Sequence, residues 1–159
     1  TCVTQNMTNS YWACATLGYN PGDDVLTAIL QEIKLNLHRC NAQDLANSLW
    51  ACGALSHDPG YEILTALMVE ARQKFASFNA RELTMSLWAA AKLGPLGHDP
   101  GHEFLDSICE RIRHALPLFP TRSLCTCLWA FERFRYKPGV ALVGPLCKKW
   151  IGSSSHHTL

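Results

Sequence analysis

The chain has 159 residues, 48% hydrophobic and 17% charged, which is too apolar for disorder and enough for a continuous core. A formal net charge of +1 hides an asymmetry: residues 1–109 carry 6 Lys/Arg against 11 Asp/Glu (−5), and residues 110–159 carry 8 against 2 (+6), so a polyanion is expected to prefer the C-terminal part. No run of eighteen apolar residues occurs, and no membrane span is predicted.

Tryptophan recurs at Trp12, Trp50, Trp88 and Trp129, at intervals of 38, 38 and 41 residues. A Pro-Gly pair keeps the same time at Pro21-Gly22, Pro59-Gly60, Pro100-Gly101 and Pro138-Gly139. Both series absorb the same three extra residues, where the third unit reads AKLGPLGHDPG and the second reads GALSHDPG. A fixed period of this length marks a stack of structural repeats. The expected units are 1–20 (second helix of a partial repeat), 21–58, 59–99 with the insertion, 100–137, and 138–159 (first helix of a partial repeat and a tail).

In chain order, the first element is a helix over Met7–Gly18. Each Pro-Gly pair then opens the outer helix of a unit. Asn20, Asp58 and Asp99 read as N-caps, the prolines as first helical residues, and Asp23, Glu62 and Glu103 as first-turn acids. Apolar residues follow at helical spacing, as in Val25, Leu26, Ile29, Leu30, Ile33 and Leu37, leaving one wet face. The inner helices begin at Asn41-Ala-Gln-Asp44 and Asn79-Ala-Arg-Glu82, asparagine caps with an acid three residues on. They continue as Leu45–Leu55 and Leu83–Leu93, apolar nearly all round, with Ala51, Cys52, Gly53, Ala89, Ala90 and Ala91 small enough for close helix approach. The fourth unit departs most, with Pro117-Leu-Phe-Pro120 between its helices and Phe131-Glu-Arg-Phe134 where the others carry Ala or Cys. The last outer helix is expected from Gly139 to about Trp150, ended by the SSSHH stretch. Wet outer helices over sandwiched inner ones predict an all-α fold, an α-solenoid of helix-turn-helix repeats with a 38-residue period.

The tryptophans are expected to be core residues, because each sits inside an LWA-type apolar run. Cys14, Cys40, Cys52, Cys109, Cys125, Cys127 and Cys147 fall inside helical patterns, where cysteine acts as a small hydrophobe. Cys125-x-Cys127 lacks a second ligand pair, so reduced thiols in a reducing compartment are expected, with no metal and no cofactor. His57 and His98 occupy equivalent HDPG turns, a repeat motif and not a ligand cluster. No Gly-rich phosphate loop, HExxH or G-x-S-x-G occurs, and an enzyme is not predicted.

Asn41-Ala-Gln-Asp-Leu-Ala-Asn-Ser-Leu-Trp-Ala51, repeated at 38-residue spacing with Pro-Gly starts, resembles the octotricopeptide repeat family. Asn79–Ala89 matches with Thr84-Met85 in place of Ala-Asn, and the resemblance covers residues 5 to about 150. It implies RNA binding in a mitochondrion or chloroplast, where such proteins stabilise, process or activate translation of transcripts and some are built into ribosomes.

A helical wheel places three polar columns on the inner helices: Gln5, Gln43, Arg81 and Arg122; Asn9, Asn47, Met85 and Thr126; Thr16, Ala54, Lys92 and Arg133. Arg81, Lys92, Arg122 and Arg133 are the first candidates for RNA contact, because they vary between repeats and lie toward the basic end. Asn47 belongs to the repeat motif itself and is expected to brace adjacent repeats. On the outer helices Lys34, Arg72 and Arg113 share one offset, 12 residues past Gly22, Gly60 and Gly101, a ladder able to follow a phosphate backbone or to be a solvated face. Two function classes stay open: a module that binds organellar mRNA or rRNA, and a structural scaffold subunit of an organellar ribonucleoprotein such as a ribosome, held mainly by protein contacts.

Overall fold

Two local codes decide where the helices start. A computed structural model describes residues 2–154 and contains α1 (Cys2–Leu17), α2 (Asp23–Leu35), α3 (Ala42–Leu55), α4 (Tyr61–Lys74), α5 (Ala80–Leu93), α6 (His102–Ala115), α7 (Thr121–Arg133) and α8 (Val140–Ser154), with no strand among the described residues. α3 and α5 open with full capping boxes. The Asn41 side chain accepts from the Asp44 N–H at 2.9 Å while the Asn41 N–H donates to Asp44 Oδ2 at 3.0 Å. Asn79 and Glu82 repeat the exchange at 2.9 and 2.8 Å. Two orphan amides are satisfied reciprocally at each start.

The outer helices use the second code, and here the structure corrects the sequence reading. Their caps are Gly22, Gly60 and Gly101, at φ 117°, 95° and 79°, two residues beyond the expected Asn20, Asp58 and Asp99. Those three side chains instead accept the glycine N–H groups at 2.8, 2.9 and 2.9 Å, closing the turn ahead of the helix. The proline therefore lies in the turn, and glycine follows because a Cβ strains at such φ. Two further bounds differ. α1 starts at Cys2 and not Met7, and α8 runs past Trp150 to Ser154 with Pro145 inside it. His156 and His157 lie outside the described residues.

The helices stack in two layers. In one, α1 packs on α3, α3 on α5 and α5 on α7; in the other, α2 packs on α4, α4 on α6 and α6 on α8. Leu45, Leu49, Leu83 and Leu87 are fully buried between them, each worth about 1.5–3 kcal/mol. Phe75 meets Phe78 and Phe104 edge-on at 5.2 and 5.3 Å. The small residues act as expected, since a Cβ on Gly53 would lie 3.2 Å from Ala89 Cα.

The buried polar groups link one sequence repeat to the next. Thr8 Oγ1 donates to Asp44 Oδ1 at 2.9 Å. Tyr11, fully buried, places its hydroxyl 2.7 Å from His57 Nδ1 and donates to Cys52 Sγ at 3.2 Å. His57 Nε2 lies 3.1 Å from Thr27 Oγ1, and His98 Nε2 lies 2.8 Å from Asp58 Oδ1. Each HDPG histidine thus ties its turn to the preceding unit. Lys74 Nζ and Arg111 Nε donate to the Cys40 and Phe75 carbonyls at 2.8 and 3.1 Å, extending the same bracing. Cys14, Cys40, Cys52, Cys109, Cys125, Cys127 and Cys147 are free thiols. Burial pushes the Cys52 and Cys127 thiols up to about 12 and the Cys40 thiol up to about 11.

Candidate nucleic-acid interface

On α1, residues 5, 9, 12 and 16 are spaced by 4, 3 and 4 and so form one helical stripe. The same stripe holds Gln43, Asn47, Trp50 and Ala54 on α3; Arg81, Met85, Trp88 and Lys92 on α5; and Arg122, Thr126, Trp129 and Arg133 on α7. Stacking α1, α3, α5 and α7 side by side lines these stripes into one surface, with the tryptophan column running between the amide column and the cation column.

The expectation that the tryptophans are core holds for Trp50 and Trp88, which pack against it, and fails for Trp129. Trp12, Trp50 and Trp88 are partly buried and Trp129 is 41% exposed. Trp50 and Trp88 rest on the core with one side while their rings stack at 6.3 Å and 29°. Lys92 Nζ lies 5.8 Å from the Trp88 ring centre, and the Arg133 guanidinium lies 5.8 Å from that of Trp129. Leu49 and Ala51 on either side of Trp50 are fully buried, while the larger indole between them reaches past the core. At Leu49-Trp50-Ala51 and Leu87-Trp88-Ala89 the leucine and alanine are buried and the indole partly buried, whereas at Leu128-Trp129-Ala130 the leucine is 37% exposed beside the exposed indole.

Arg81, Lys92, Arg122 and Arg133 are all exposed on this surface. Among the described residues none of the four forms a salt bridge, so their charge faces solvent and the indoles. The outer ladder is arranged differently. Lys34 pairs with Glu62 at 3.1 Å and Arg72 with Glu103 at 2.7 Å, each reaching the first turn of the next outer helix, while Arg113 pairs with Glu110 of its own helix. The structure brings the ladder onto one face and answers each cation with a carboxylate. Exposed pairs of this kind contribute at most about 1 kcal/mol, but they cancel the local potential. Arg135 and Lys137, exposed in the α7–α8 loop, add positive charge that the column reading missed.

Asn47, expected to brace adjacent repeats, is 8% exposed and lines a cleft of about 390 Å³ between α1, α3 and α5. Its side chain makes no hydrogen bond to a neighbouring helix among the described residues. Chemically, the surface offers aromatic faces, amides and unpaired cations, the groups that stack bases, read base edges and hold phosphates. Among the described residues no three His, Cys, Asp or Glu side chains converge as a metal site, and no helix is long and apolar enough to cross a membrane.

A family model described as the Tbc2 translation factor, N-terminal domain, matches residues 1–138. No curated protein matches the chain.

Proposed function

The chain belongs to the Tbc2 translation factor N-terminal domain family, and on that premise we propose that it is an RNA-binding α-solenoid of octotricopeptide type acting in chloroplast translation. Its units are those of the 38-residue period, 21–58, 59–99 and 100–137, flanked by partial repeats at 1–20 and 138–159. The observation that carries the reading is the tryptophan column flanked by Lys92 and Arg133, with Arg81 and Arg122 on the same surface. A single strand laid across it stacks bases on the exposed parts of the indole faces and sets phosphates against the cations, each stacked base–aromatic contact being worth about 1–3 kcal/mol. The Lys34–Arg72–Arg113 ladder is the weaker candidate, since its charge is already paired. The acidic balance of residues 1–109 supports a second reading, a scaffold subunit of an organellar ribonucleoprotein held by protein contacts.

Filter binding of a single-stranded RNA across a salt series separates the two. Losing two phosphate contacts in Arg122→Ala/Arg133→Ala is expected to reduce the salt slope by about 1.4, at about 0.7 per contact, and to weaken binding about 25-fold near 0.1 M salt. Arg72→Ala is expected to change neither. An unchanged slope and affinity in the double variant would reject this surface and favour the scaffold.

A further inference from the structure

We propose that the cleft between α1, α3 and α5 is a pocket for one base of the bound strand that carries an exocyclic amine, adenine or cytosine, an inference that rests on the RNA-binding reading. Four side-chain amides, those of Asn9, Gln43, Asn47 and Asn79, line it together with Trp12, Met85 and Glu82, the Asn79 oxygen being taken by the Glu82 N–H. Its volume of about 390 Å³ lies within the range of small-molecule sites, roughly 300–1,000 Å³. Asn47 is more than nine-tenths buried, yet among the described residues neither its amide nor that of Gln43 has a hydrogen-bond partner. The Asn47 amide is not sealed off from solvent but opens into the cleft, where a base can take over the hydrogen bonds that solvent makes to it.

The chemistry selects bases with an exocyclic amine beside a ring acceptor, adenine and cytosine, over uracil. A side-chain amide presents one acceptor and one donor in a plane, which matches the N6 amine and N7 of adenine. Glu82 uses Oε2 to accept the Asn79 N–H at 2.8 Å and keeps Oε1 for an exocyclic amine. A carbonyl there, as in uracil or on guanine O6, meets a carboxylate and is repelled. Trp12 supplies the stacking face and Met85 an apolar surface, while exposed Arg81 stands at the rim for the phosphate. The next unit does not repeat this set. Gln43 and Asn47 are replaced there by Arg81 and Met85, and in the fourth unit by Arg122 and Thr126, so the amide cluster belongs to this cleft alone among the aligned columns.

The test compares an octamer of uridines with the same octamer carrying one central adenosine, by filter binding and by quenching of tryptophan fluorescence. One bidentate base contact is expected to favour the adenosine octamer about tenfold. Gln43→Leu, at an exposed position, and Asn47→Leu, near in volume, are expected to erase that preference while still binding the uridine octamer. Arg122→Ala/Arg133→Ala is expected to weaken both octamers equally and keep the preference. Equal binding of the two octamers by the wild type, or a preference that survives both leucine variants, would overturn the pocket and leave the RNA-binding reading standing. Failure to bind either octamer would overturn both. AMP alone binding as tightly as the adenosine octamer would assign the cleft to a free nucleotide and overturn its place on the strand.

Discussion

Gly53→Ala sets two effects of similar size against each other. Replacing an interior helical glycine with alanine contributes about 1 kcal/mol through backbone entropy alone. Against that, a Cβ at residue 53 would lie 3.2 Å from Ala89 Cα, 3.2 Å from Trp88 Cζ3 and 3.4 Å from Lys92 Cβ. Ala89 is fully buried and its Cα is backbone, so α5 must move as a body. The Trp88 ring is held by its stack on Trp50 and by Lys92. Overpacking a rigid contact costs about 1–3 kcal/mol, and the cost wins by about 1 kcal/mol. For a chain of this size that lowers Tm by about 2–4 °C. The control is Gly152→Ala, also helical but exposed with open space around the new Cβ, which is expected to leave Tm unchanged or raise it slightly. Circular-dichroism melts of both variants decide the matter. If Gly53→Ala raised Tm as much as helix propensity alone allows, the close approach of α3 and α5 would be wrong, and with it the alignment of Trp50 and Trp88.

Acid should weaken the fold through His57. Burial holds its pKa below the ordinary 6.5, against the opposing pull of Asp23 and Asp58, so the unfolded chain takes the proton first. Stability is then complete above about pH 6.5 and declines as pH falls toward the depressed folded value; melts at pH 7.5 and 5.5 should show the loss, and His57→Gln should shrink it. Asn79→Ala removes the acceptor for the Glu82 N–H and should cost about 1 kcal/mol, a Tm decrease of about 2–4 °C; no decrease would mean the capping box contributes nothing. Thiol labelling of the native protein at pH 8 should modify exposed Cys125 and Cys147 quickly and spare Cys52 and Cys127, whose thiols are buried and pushed up to about 12; rapid labelling of Cys52 would contradict its packing between helices.

The sequence by itself determined the helices, their order and their local starts, because those depend on interactions within a few residues. Asn41 with Asp44 and Asn79 with Glu82 are closed three-residue loops, and the apolar spacing of Leu26, Leu30 and Ile33 needs no partner to be read. Even the misplaced outer starts were local errors of two residues, since Asp58 and Asp99 do bind a backbone N–H, that of the turn glycine. Only the tertiary structure decided what each exposed column faces. Lys34 and Arg72 look like the inner-helix cations in sequence, but Glu62 and Glu103 lie 28 and 31 residues away and meet them through the packing of one outer helix on the next. The tryptophans were likewise unreadable as core or rim, because an indole at the edge of an apolar stripe is buried only if the neighbouring helix covers it. Here the neighbouring helix brings another indole, and Trp50 and Trp88, both partly buried, stack on each other. The cleft between α1, α3 and α5 has no local signature, since its amides come from helices separated by a full repeat.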